Sequence, residues 1–256
     1  MHYESTTGLD PDQIQELVAR IRQILPPERR RGRPPALGLY RSVVVTLILL
    51  RSNLDQATLA DLVGVSQPTV SRIHRRLTPL VGQALCLHIP PVPEILRGRA
   101  VLVDGTLIPI GDRAGRQDHF SGKHRRVGVN VQVLADLGGT LLAVSPPQRG
   151  SLHDRTALAH TGWETHLTDA IGDLAYRGTT VVTPRRRNYG GGEHSPGDLE
   201  CNREISALRA PVERAIAHLK NWKILKTGYR GRLAELPTII RVITALEFYR
   251  LGWQPL

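Results

Sequence analysis

The sequence predicts an α/β protein in which a mixed sheet flanked by helices follows an all-α helix-turn-helix domain. Three observations predict it. Residues 10–25 and 38–88 carry apolar residues at helical spacing. From about residue 99 the spacing changes to that of strands. Pro-rich stretches at residues 26–35 and 89–93 separate these parts. The expected domains are 1–37, a helix with a basic arm; 38–92, all-α; and 98–256, the α/β part.

Element by element, Asp10 reads as an N-cap with Pro11 at the first helical position. Ile14, Leu17, Val18, Ile21, Ile24 and Leu25 supply one apolar face, and Pro26-Pro27 ends the helix. In the α/β part, residues 100–110 form an apolar strand. Residues 127–136 alternate, with Val127, Val129, Val131 and Val133 on one side. Gly138-Gly139 reads as a hairpin turn into a strand over 140–145. A helix begins near Asp154. Short buried strands are expected at 169–173 and 179–184, and helices at 199–226, interrupted or started by Pro211, and 236–250.

Composition bounds the function. The 256 residues include 34 Lys plus Arg against 23 Asp plus Glu, a net charge of +11. Hydrophobic residues at 41% and charged residues at 22% exclude global disorder. Two cysteines, Cys86 and Cys201, make neither a disulfide scaffold nor a zinc site. The apolar run 43–50 is too short to span a bilayer, and residues 1–10 lack the features of a leader. A cytoplasmic, nucleoid-associated protein with a polyanionic partner is expected.

Residues 55–80 read as helix-turn-helix. Leu59, Ala60 and Val63 mark a buried face, Gly64 supplies the turn, and Ser66 caps the second helix ahead of Pro68. Val70, Ile73, Leu77 and Leu80 face inward. The opposite face carries Gln67, Thr69, Ser71, Arg72, Arg75 and Arg76, short polar groups for base edges and arginines for phosphates. An ordinary amphipathic pair with a solvated basic face is the alternative. Arg31 and Arg33, in Arg-Gly-Arg-Pro, resemble an AT-hook core suited to a narrow minor groove, or are a solvated linker. Lys123, His124, Arg125 and Arg126 read as a DNA-backbone patch or a solvated turn.

Three carboxylates occupy unusual places. Asp104 interrupts an apolar strand, Asp173 ends another, and Glu213 shares a helix face with Arg209 and Lys220. Buried carboxylates are costly unless paired or bound to metal. Three that converge can hold two divalent cations, and oxygen-only donors favour magnesium or manganese. Taken singly, Asp104 reads equally as an Asp-Gly turn, Asp173 as a strand end and Glu213 as an ion-pair partner of Arg209.

With these pieces the chain resembles DDE-type transposases of the insertion-sequence-five group, or DDE superfamily endonucleases. The resemblance spans about residues 38–250. It rests on VDGT around Asp104, GSLHD at 150–154, GDLAY around Asp173, Thr183-Pro184, and Arg209 through Glu213 to Lys220. Ala175 stands where the family usually has Gly, and Ser206 where it often has Tyr. The resemblance implies an RNase H-like catalytic domain. It also implies cation-dependent DNA strand cleavage and transfer at terminal inverted repeats, on double-stranded DNA. Asp104, Asp173 and Glu213 would hold two magnesium ions, with manganese as substitute. Arg209 and Lys220 would support them, and a homodimer would join two ends. Asp154 reads as a helix cap or as a supporting or competing carboxylate, and His153 as a group orienting a carboxylate or phosphate. A transposase-derived DNA-binding regulator without catalysis is the alternative function.

Overall fold

The computed structural model describes residues 3–26, 34–85, 91–111, 117–186 and 195–252. Arg31 and Arg33 lie outside them, as does Cys86. The described helices are α1 (Tyr3–Thr7), α2 (Pro11–Ile24), α3 (Leu39–Ser52), α4 (Gln56–Val63), α5 (Gln67–Ala84), α6 (Val92–Leu96), α7 (Asp154–Ala159), α8 (Pro196–Lys220) and α9 (Leu236–Arg250). The strands are β1 (Val101–Pro109), β2 (Phe120–Ser121), β3 (Arg126–Asp136), β4 (Leu141–Val144), β5 (Gln148–Arg149) and β6 (Ala170–Ile171). The chain divides into two compact units. One comprises Met1–Ile89 with Leu219–Leu256, the other Pro90–His218.

The first unit is helical. Asp10 caps α2: its carboxylate accepts from the Gln13 backbone N–H at 2.8 Å, and the Gln13 side chain accepts from the Asp10 N–H. Asp55 caps α4 one-sidedly: its carboxylate accepts from the Thr58 backbone N–H at 2.8 Å and from the Thr58 hydroxyl. Gly64, at φ 73°, ends α4 in the left-handed region, where other residues are strained. Three residues then separate α4 from α5. Leu59, Ala60 and Val70 bury against Val45 and Leu49 of α3. Ser66 does stand at the N-cap of α5, but its hydroxyl meets the Thr69 hydroxyl at 3.0 Å and caps no backbone N–H.

Sequence division at residue 98 puts residues 219–256 with the α/β part. In the structure they pack with the N-terminal helices. The reason is a buried polar knot: Glu247 of α9, fully buried, accepts from the Trp222 indole at 3.1 Å and from Arg250 at 2.6 Å. The Arg51 guanidinium of α3 lies 5.3 Å from the Trp222 ring centroid. Such a carboxylate needs all its donors to offset the loss of water.

The second unit is built on a six-stranded mixed sheet. β1 pairs antiparallel with β3 along its whole length, from Val101 opposite Asp136 to Pro109 opposite Gly128. β6 pairs parallel with β1, and β4 and β5 pair with β3. Val212 and Ala215 of α8 pack on Leu102 and Ala135, covering one face. α7 packs on β3. The strand expected at 169–173 shortens to β6, and that expected at 179–184 reduces to one bridge, Val182 to Ile171. α8 runs through Pro211 without interruption, since one lost hydrogen bond is tolerated where the helix is packed on a sheet.

Candidate active site

β1 and β6 run side by side and parallel, with Leu102 opposite Ile171. Side chains on a strand alternate, so two residues further on Asp104 and Asp173 come out on one face of the sheet. That face is the one α8 covers, because Leu102 shares it. Asp104 is mid-strand and not in a turn; its carboxylate accepts from the Gly105 N–H at 2.9 Å. Asp173 opens a short 3-10 turn, Leu174–Tyr176, and accepts from the Ala175 N–H at 2.8 Å. Burial first, and then the negative charge of Asp173, push the Asp104 carboxyl up to about 6. Arg209 on α8 opposes the shift and Asp154 adds to it. One guanidinium therefore faces several carboxylates, and the site has more negative charge than the protein compensates.

Arg209 is half-buried, and its Nε is buried with no hydrogen-bond partner. Glu213, one turn further along α8, is exposed and is not among the charges acting on Asp104. Lys220 is the last residue of α8. Among the described residues no three His, Cys, Asp or Glu side chains stand together as a metal site. The structure thus puts Asp104 and Asp173 on one face of the sheet, where the charges of Arg209 and, from behind, Asp154 act on Asp104; Glu213 is not among those charges.

Asp154 corrects one expectation. The cap of α7 is His153, which is exposed and makes no side-chain capping bond; Asp154 is the first helical residue. Its carboxylate is buried. Oδ1 accepts from Asn130 Nδ2 at 2.8 Å, and Oδ2 from the Lys123 ammonium at 3.2 Å. Lys123, His124, Arg125 and Arg126 are all exposed between β2 and the start of β3. Burial works against the Lys123 charge, but Asp154, then Asp173 and Asp104, outweigh it and raise the ammonium above its ordinary range. The polar residues of the second helix, Gln67, Arg72, Arg75 and Arg76, are exposed, whereas Thr69 and Ser71 are partly buried.

Three residues that matter here were not singled out from the sequence: Asn130, Gln132 and Tyr176. Gln132 Nε2 donates to Asn130 Oδ1 at 2.9 Å, and the Tyr176 hydroxyl donates to Gln132 Oε1 at 2.6 Å. Tyr176 and Gln132 are fully buried. Burial, and then the charges of Asp154, Asp104 and Asp173, hold the Tyr176 hydroxyl protonated, well above its usual range.

Comparison with known proteins agrees with this geometry. The family described as DDE superfamily endonuclease matches residues 103–247, from just before Asp104 to Glu247. The chain is 32% identical over 223 residues to the protein assigned as transposase for insertion sequence element IS112 of Streptomyces albus G. That match covers 86% of this chain and 84% of the relative. It is 22% identical over 261 residues to the protein assigned as transposase for insertion sequence element IS702 of Microchaete diplosiphon, covering 98% and 94%. No solved structure matches. The mixed sheet flanked by helices is consistent with a DDE nuclease fold, and among the described residues no helix is long and apolar enough to cross a membrane. With one aspartate inside β1 and the other just beyond the end of the neighbouring β6, the chain belongs to the DDE superfamily endonucleases.

Proposed function

We propose that the protein is a DNA transposase, acting as a homodimer, that binds terminal inverted repeats and cuts and rejoins DNA strands. The names of its relatives support this reading. The observation that carries it is the Asp104–Asp173 pair, one within β1 and one just past the end of the parallel β6, with its surplus negative charge. A fold of RNase H type accounts for two carboxylates delivered by parallel strands under one covering helix.

The residues present fit a hard divalent cation: all the donors are oxygen, and their charge is undercompensated. Asp104 and Asp173 would hold it; Glu213, exposed one turn beyond Arg209, is our candidate for a third carboxylate that would join them when cation and DNA bind. Magnesium is commonly bound by one or two carboxylates plus substrate phosphates, so the pair suffices before DNA arrives. We infer magnesium, replaceable by manganese, and two ions. When bound, such ions acidify water and stabilise a leaving oxygen. Cleavage adds water across a phosphodiester: the water oxygen bonds to phosphorus, the phosphorus–O3′ bond breaks and O3′ takes a proton. Transfer repeats the step with the freed 3′-hydroxyl as attacker. Arg209 faces Asp104 and supplies positive charge to the phosphate that binds there. Lys220 assists from the end of α8.

DNA is read by the N-terminal helices, α5 lying in the major groove as the second helix of a helix-turn-helix. Gln67, Thr69 and Ser71 meet base edges; Arg72, Arg75 and Arg76 meet phosphates, as do Lys123, Arg125 and Arg126. Arg31 and Arg33 enter the adjacent minor groove. The test uses a plasmid carrying the gene with its flanking DNA. The full chain with magnesium should release the element at its ends, and no release would refute the transposase reading. Replacing Arg72, Arg75 and Arg76 by Ala should weaken binding to those ends. It should also flatten the log–log salt dependence by about one per lost phosphate contact. An unchanged salt slope in the triple variant would exclude α5 from the DNA interface.

A further inference from the structure

Behind the aspartate pair, on the opposite face of the sheet, lies a continuous line of buried polar groups. Gly105 is opposite Gln132 in the β1–β3 register, and Gln132 and Asn130 are two apart on β3, so all three share that face. The line begins at Tyr176, whose hydroxyl donates to Gln132. Gln132 donates to Asn130, and Asn130 to Asp154. Every donor points towards Asp154, the one anion in the line. Lys123 donates to its other oxygen from the exposed side. Adjacent bonds oriented alike polarise one another, so the line is more than its separate members.

Each end of this line meets the backbone at or beside one aspartate of the pair. Tyr176 closes the 3-10 turn that Asp173 opens, and its N–H donates to the Asp173 carbonyl at 3.1 Å. Its ring packs against Gly172, where a Cβ would come within 2.8 Å of Tyr176 Cδ2. At the other end, Asp154 lies against Gly105, the residue after Asp104. The line thus ties the turn carrying Asp173 to the strand carrying Asp104, across β3.

We propose that Tyr176, Gln132, Asn130 and Asp154 form a positioning chain that holds the Asp173 turn in register with Asp104 for cation binding. This rests on the cation-dependent reading of that pair. None of the four touches the reacting atoms; they act through the two aspartates. Groups that orient metal-binding residues from behind are worth about 10–100-fold in metal affinity.

The test is manganese binding to the full chain without DNA, followed by calorimetry below the melting temperature. Tyr176→Phe removes one hydroxyl and keeps the ring; it should weaken manganese binding about tenfold. Gln132→Met, which breaks the two links that Gln132 makes without adding charge, should do the same. Tyr249→Phe removes a comparable hydroxyl, bonded to Gln13 and Glu16 in the other compact unit, and should leave manganese binding unchanged. Asp104→Asn separates the two readings. If wild type and Asp104→Asn bind manganese alike, the aspartate pair is not the cation site and the chain has nothing to position. If Asp104→Asn loses binding while Tyr176→Phe and Gln132→Met bind as wild type does, the positioning chain alone is overturned. Equal weakening in Tyr249→Phe would reduce the effect to stability and overturn it too.

Discussion

Asp104→Asn should abolish cation-dependent DNA cleavage and, in the same protein without metal, raise the melting temperature at pH 7. The two effects have one cause. The Asp104 carboxyl titrates at about 6 in the folded chain against 3.8 for an ordinary aspartate, because burial and the charge of Asp173 disfavour its ionised form. Between those values the folded state holds the proton and the unfolded state has lost it. Stability therefore falls as pH rises through that window, and the full penalty stands at pH 7. About two pKa units correspond to at most roughly 3 kcal/mol, less what solvent screens at a half-buried group. Asn keeps the size and removes the charge. The melting-temperature difference between variant and wild type should be near zero at pH 4 and reach several degrees by pH 7. A difference that is flat with pH would show that Asp104 carries no such penalty. A variant that still cuts DNA would remove Asp104 from the cation site.

Several parts of this arrangement are legible in the sequence because they are local. Asp10 and Gly64 announce a cap and a turn through chemistry within four residues, and the α9 bounds follow from one largely apolar run. Asp104 stands out because a carboxylate inside an apolar strand needs a reason. What is not legible depends on which face is covered. Asn130 and Gln132 alternate with valines, a pattern that ordinarily puts the polar set in water. Here both faces of β3 are covered, so the same alternation buries them. Asp154 follows Gly-Ser-Leu-His, a spacing that suggests a cap, but the cap is one residue earlier and the carboxylate turns inward to Asn130. The place of α9 is set by Glu247, Trp222 and Arg51, which sequence distance separates widely. Helical spacing puts Glu213 with Arg209, yet the sheet receives Val212 and Ala215 and leaves Glu213 exposed.

Gly105→Ala should unfold the aspartate site with the smallest possible change. Gly105 is mid-strand with no positive φ, so Asp-Gly is not turn chemistry here; the glycine is required for space. A Cβ would clash with Asp154 Oδ1 and stand 2.6 Å from its Cγ and 3.1 Å from Gln132 Nε2. Asp154 cannot swing aside cheaply, since Asn130 and Lys123 hold both oxygens. Moving it leaves a buried carboxylate without donors, and overpacking adds to that cost. A loss of about 3–5 kcal/mol is expected, or roughly 10 °C in melting temperature for a chain of this length. Gly197→Ala, whose Cβ would meet only Ser195 Oγ at 4.0 Å, should change stability by less than about 1 kcal/mol. The decisive comparison is Gly105→Ala combined with Asp154→Ala. Removing the carboxylate vacates the space the methyl needs, so the double variant should be markedly more stable than the sum of the two losses implies. If the two losses simply add, the contact between Gly105 and Asp154 does not exist in the folded protein, and the route from Asp104 to the buried line fails with it.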